Sequence, residues 1–169
     1  MIPADRHLVL VGLMGSGKST VARVLGERLM RRAVDTDVVI EARTGRSVRE
    51  IFATDGELAF RDLETAVLIE ALEDPEPCVI AAAGGAVLRE ENRMAMQRSH
   101  ARVVWLSADP SVLLDRVRPG GHRPALDADA AGTLRRMYET REPLYREVAD
   151  LIVSVDGRSV SDVVEAILR

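Results

Sequence analysis

Short, wholly apolar runs alternate along this chain with longer stretches whose apolar positions recur every three or four residues. HLVLV (7–11) reads as a fully buried strand. Residues 18–31 then carry a helical stripe of Val21, Val24, Leu25 and Leu29. AVD (33–35) is a short second strand, and helical patterns are predicted over 38–43, 47–52 and 58–72. CVIAA (78–82), VVWLS (103–107) and LIVSV (151–155) complete five strand candidates. Asp109 and Pro110 read as the N-cap and first position of a further helix. A long helix over 130–149 and a closing one over 160–168 follow. Strands separated by helices imply an α/β fold, with a parallel sheet covered on both faces. RPGGHRPALDAD (118–129) breaks all periodicity and is the candidate for a lid.

Composition narrows the class. At 169 residues, with no repeat and no low-complexity linker, one domain is expected. Aromatics make up 3% of the chain, so aliphatic side chains must fill the core. A net charge of −4 offers no general attraction to nucleic acid or to an anionic membrane. Any anionic ligand must be held by locally placed arginines. No apolar run approaches the ~20 residues of a membrane span, and MIPADRH lacks the pattern of a signal peptide, so the cytoplasm is expected. Cys78, the one cysteine, reads as a small core hydrophobe, a reactive thiol being the alternative. His7, His100 and His122 show no metal-binding spacing, and Trp105 reads as core.

The first chemical signal is GLMGSGKST, directly after the first strand. Gly12, Gly17, Lys18 and Ser19 fit the phosphate-binding pattern G-x-x-x-x-G-K-[ST]. Glycines let successive N–H groups converge on one anion, and the loop opens a helix whose dipole favours negative charge. Lys18 can reach the outer phosphates, and the Ser19 hydroxyl can meet Mg²⁺. The motif alone leaves ATP or GTP open, and likewise a kinase, a binder or a switch.

A phosphoryl transfer also needs an acceptor site. Asp35 and Asp37 fall at the end of the second strand, where ligands of open parallel sheets gather. In extended chain, residues two apart share a face, so one can serve a hydrated metal and the other a substrate hydroxyl. The alternative is an aspartate capping the next helix. Arg61 and Glu64 are neighbours on one helical face. They read as a solvent-exposed ion pair, or as an arginine oriented to grip a carboxylate. Gly84 and Gly85 end the third strand, either to admit a ligand to the backbone or as a plain turn. Arg116, Arg118, Arg123 and Arg141 add positive charge after the fourth strand.

GLMGSGKST, DTDVVIEARTGRSVREIFATDGELAFRDLE, AGGAV, the Arg123-Pro124 pair and REPLYREVAD occur in an order that resembles shikimate kinases. The resemblance runs from about residue 7 to the C-terminus. It implies a P-loop NTPase fold like that of nucleoside monophosphate kinases, with a five-stranded parallel sheet in the order 2-3-1-4-5. It also implies an acceptor-binding region over about 37–64 and a lid over about 116–129. The implied activity is transfer of the γ-phosphoryl of ATP to the 3-hydroxyl of shikimate, in chorismate and aromatic amino acid biosynthesis. Carried over, Asp37 matches the acceptor-binding base, and Lys18 and Arg123 match the groups that absorb phosphoryl charge. Gly15, Ser16, Gly17, Ser19 and Thr20 match the nucleotide loop, and Arg116 and Arg158 match residues beside the adenine. Ser19 and Asp35 match the Mg²⁺ site. Arg61 and Arg141 match the carboxylate clamp, with Glu64 orienting Arg61 and with Gly84 and Gly85 as backbone contacts. A monomer is implied.

The family usually has three glycines where this chain has Ala83-Gly84-Gly85. The reading adopted is that the first position needs a small side chain, not positive φ. A leucine often follows the lid Arg-Pro pair in the family, and here Ala125 stands. Two alternatives accompany the resemblance. One is a gluconate kinase-like enzyme, expected to lack the Arg61 and Arg141 motifs. The other is a non-catalytic nucleotide binder, expected to have lost Lys18, Asp37 or Arg61.

Overall fold

All four residues of β1 (Leu8–Val11) are apolar and buried, which only a central strand covered on both faces can satisfy. In the computed structural model, which describes residues 2, 4–117 and 129–169, β1 lies in the middle of a five-stranded sheet ordered β2-β3-β1-β4-β5. The others are β2 (Ala33–Asp35), β3 (Val79–Ala81), β4 (Arg102–Ser107) and β5 (Leu151–Ser154). Every pairing is parallel. Leu10 lies opposite Ala81 on one side and Val104 on the other. The edge strands β2 and β5 each bury a single residue fully, Val34 and Val153. The outer strands are therefore the less apolar ones.

Helix α1 (Lys18–Leu29) packs with α7 (Val160–Leu168) over one face. On the other face α3 (Val48–Leu72), α4 (Glu90–Arg98) and α6 (Ala130–Val148) pack together. α2 (Thr36–Thr44) is held to α3 by a separate small cluster that includes Ile40, Ile51 and Phe60. Asp109 accepts from Ser111 N and Pro110 opens α5 (Pro110–Leu114), as the sequence predicts. Trp105 and Cys78 are core residues, 2% and 1% exposed. Among the described residues, no helix is long and apolar enough to cross a membrane.

Three differences from the sequence reading stand out. α2 begins at Thr36, two residues earlier than its apolar pattern suggests, because Asp35 caps it. The two helical patterns at 47–52 and 58–72 belong to one element, broken at Gly56, where the backbone leaves helical geometry (φ 86°, ψ 172°). α4 was not predicted. It buries only Asn92 and Met96 fully, and its three apolar residues, Met94, Ala95 and Met96, are consecutive, so it carries no apolar stripe of helical period to read. The expected lid falls almost wholly on 118–128, outside the described residues, and Arg118 and Arg123 go with it.

Candidate active site

The loop after β1 is set by its glycines. Gly15 and Gly17 sit at φ 81° and 90°, backbone that residues with a Cβ rarely adopt. Gly17 is the N-cap of α1 and brings no capping side chain. The N–H groups of the first turn are therefore left for an anion. Lys18 is buried, and its Nζ donates to the carbonyls of Gly12 (2.7 Å) and Leu13 (3.0 Å). Ser16 Oγ is buried and meets no hydrogen-bond partner among the described residues. Buried polar atoms are seldom left so, and a phosphate oxygen is the partner that suits this loop. Gly15, Lys18, Ser19, Thr20, Asp35 and Arg116 line a cleft of about 240 Å³ here.

Asp35 ends β2 and caps α2, its Oδ1 accepting from Asp37 N (3.0 Å) and Val38 N (3.3 Å). Its Oδ2 accepts from Ser19 Oγ. The capping role and a place beside the phosphate loop, which the sequence left as alternatives, thus coexist in one carboxylate. Asp37 lies in the first turn of a helix, not in extended chain. The expected sharing of a strand face is corrected accordingly: the start of a helix, not the pleat, brings both carboxylates to the cleft at the phosphate loop. Thr36 between them is fully buried. Its Oγ1 accepts from Ala83 N (3.0 Å) and donates to Ala81 O (3.5 Å), joining the start of α2 to the turn after β3. Ala83 is not at positive φ, so a small side chain there is unstrained.

A second cleft, about 540 Å³, opens next to the first. Arg61, Glu64, Gly85 and Arg141 line it. Arg61 Nη1 donates to both carboxylate oxygens of Glu64 (3.0 and 2.8 Å), and Nη2 to Glu57 (3.2 Å). The Arg61 side chain is 11% exposed and that of Glu64 fully buried, which rules out a solvated ion pair. Burial pushes the Glu64 carboxyl up to about 7, against the pull of Arg61; Asp37 adds to the rise and Arg141 opposes it. A Cβ on Gly85 would stand 2.2 Å from Arg61 Nη1, so the guanidinium lies directly on the backbone there. Arg141 is buried on α6, its Nη1 3.5 Å from where a Cβ on Gly84 would be.

Asp37, Ala83 and Gly84 line both clefts. The structure thus brings Asp37, Arg61, Gly84, Gly85 and Arg141 to one cavity and the phosphate loop, Asp35 and Arg116 to its neighbour. Arg158 stands exposed before α7 and lines neither cleft. Phe52 and Phe60 also line the larger cleft, with ring centroids 4.8 Å apart, and Arg61 Cζ lies 5.5 Å from the Phe60 centroid. Sequence reasoning passed over both, although they are the only two phenylalanines of the chain. Nothing in their spacing marks a cleft, and their scarcity is the available signal.

The shikimate kinase family model matches residues 14–169. A shikimate kinase of Symbiobacterium thermophilum is 47% identical over 166 residues, covering 96% of this chain and 94% of that protein. One from Burkholderia lata is 44% identical over 163 residues, covering 96% and 88%. A solved structure, shikimate kinase from Acinetobacter baumannii in complex with shikimate, superposes with a TM-score of 0.92 at 36% identity, over 96% of this chain and 90% of that one. Likeness of this extent takes in both clefts and the elements that build them, far beyond a phosphate loop, and the chain belongs to the shikimate kinase family.

Proposed function

We propose that this protein transfers the γ-phosphoryl of ATP to the 3-hydroxyl of shikimate, giving shikimate 3-phosphate and ADP. The observation that carries the reading is Asp37, which lines both the cleft at the phosphate loop and the cleft holding the two arginines. A carboxylate at that junction can accept the proton of a hydroxyl that attacks phosphorus. The buried forks of Arg61 and Arg141 suit a planar carboxylate on the acceptor. Lys18 would release the loop carbonyls to meet the outer phosphate oxygens, with Arg116 at the mouth of the cleft. Ser16, Thr20 and the backbone of Gly15 and Gly17 would hold the phosphate chain; Arg158 and the lid Arg123 belong to the reading through the resemblance alone.

The residues at the loop fit Mg²⁺. The Ser19 hydroxyl and the Asp35 carboxylate already touch. Among the described residues no group of three metal-ligating side chains forms a cage, and Mg²⁺ bound through one carboxylate, water and phosphate oxygens needs none. When bound it would neutralise charge developing on the phosphates. The reading extends to a monomeric cytoplasmic enzyme whose acceptor-binding region spans about 37–64.

Asp37→Asn tests the central assignment. Turnover should fall roughly 100-fold or more while the KM for ATP barely moves, in a coupled assay of ADP release. Unchanged turnover would remove Asp37 from the base role. Gluconate offered in place of shikimate should give no ADP, and activity with gluconate alone would replace the acceptor.

A further inference from the structure

Tyr145 lies one helical turn beyond Arg141 on α6, on the same face. It is 1% exposed. Its ring stacks on Trp105 of β4, with centroids 5.7 Å apart and planes inclined by 26°. Its hydroxyl donates to Gly84 O at 2.6 Å. Burial pushes the phenol up to about 12, so it stays a donor across the physiological range; Arg141 pulls in the opposite direction.

Gly84 is part of the wall that the two clefts share. It is hemmed in from both sides: a Cβ there would stand 3.2 Å from Gly12 O of the phosphate loop and 3.5 Å from Arg141 Nη1. A trans peptide points its carbonyl and the following N–H in opposite directions. The bond from Tyr145 therefore sets which way the Gly84–Gly85 peptide faces. It also ties that peptide to the helix that carries Arg141. Packing alone does not require the hydroxyl, because the ring already fills the space against Trp105.

We propose that Tyr145 is a positioning residue for the acceptor: its hydroxyl locks the Gly84–Gly85 peptide and Arg141 into the single arrangement that grips shikimate. The inference rests on the proposed function of the same site.

Tyr145→Phe tests it in the full chain, since only one oxygen is lost and the stacking ring stays. The KM for shikimate should rise roughly ten-fold, the worth of one net hydrogen bond. The KM for ATP should stay within about two-fold and the Tm within a few degrees. Trp105→Phe is the counterpart: it disturbs the ring's partner and spares the hydroxyl, so it should lower the Tm and leave the shikimate KM in place. An unchanged shikimate KM in Tyr145→Phe overturns the proposal. So does a rise of both KM values together with a lower Tm, the signature of a merely structural role. Arg141→Ala in the same assay separates the two levels. If it raises the shikimate KM and Tyr145→Phe does not, the positioning role fails alone. If neither does, the acceptor reading fails and takes the inference with it.

Discussion

Single residues in this molecule do two jobs wherever the clefts meet. Asp35 caps a helix with one oxygen and meets Ser19 with the other. Thr36 is the unremarked centre of a D-T-D motif and holds that motif to the turn after β3. Gly85 has an ordinary backbone, φ −90° and ψ 0°, so its need for glycine is steric: Arg61 occupies the space of a side chain. Gly85→Ala should therefore fold well, because the far end of a flexible side chain gives way more easily than backbone. The displaced fork should raise the KM for shikimate by roughly ten-fold or more, as lost charge-assisted hydrogen bonds do, with little change in Tm. Kinetics and a thermal melt on one preparation check this, and a wild-type KM would detach Arg61 from the acceptor. The residue types were legible in the sequence. That Arg61 and Glu64 are buried was not, since spacing of three on a helix says nothing about what covers that face.

At the level of elements, turn and cap chemistry decided the boundaries. Asp109, Ser47 and Ser159 each begin a helix with a side-chain cap; the sequence marks Asp109 as a cap and places the other two starts within one residue. Gly56 interrupts α3 in a region of backbone space that is nearly exclusive to glycine. A Cβ there would meet open space, so the cost of Gly56→Ala is purely conformational, about 1–3 kcal/mol. Urea unfolding should show that loss as a lower midpoint at unchanged slope; equal midpoints would mean that the kink is relaxed without cost. The break also sets the angle at which the second half of α3 presents Arg61. α4 stayed invisible because a helix needs an apolar stripe to announce itself. This one anchors through the single core residue Met96 and through polar groups, with Asn92 Nδ2 donating to Ala86 O and Arg93 Nη1 to Val87 O (2.9 and 2.8 Å).

For the molecule as a whole, burial of Glu64 contributes a pH dependence to stability. Its carboxyl titrates near 4.5 when exposed and at about 7 in the fold, burial being the main cause. Between those values the folded state holds more protons than the unfolded one. The Glu64 contribution to stability therefore falls as pH rises through that window, by at most about 1.4 kcal/mol per pH unit for one proton. Below 4.5 both states are protonated and the contribution is complete; above 7 both are ionised and the slope vanishes. Urea unfolding of the parent and of Glu64→Gln, compared from pH 4.5 to 7, should give curves that are not parallel, with the Glu64 component of the slope lost in the variant. Parallel curves would show that Glu64 ionises without penalty. The sequence by itself determined the strands and most of the helices, the phosphate loop and the family, because periodicity, caps and glycine spacing are local properties of a chain. Only the tertiary structure decided that Asp37 stands between two clefts, that Arg61 and Arg141, 80 positions apart in the chain, converge on one of them, and that Tyr145 reaches Gly84. Those depend on how strands are ordered and which faces are covered, and burial and convergence are written in no single segment.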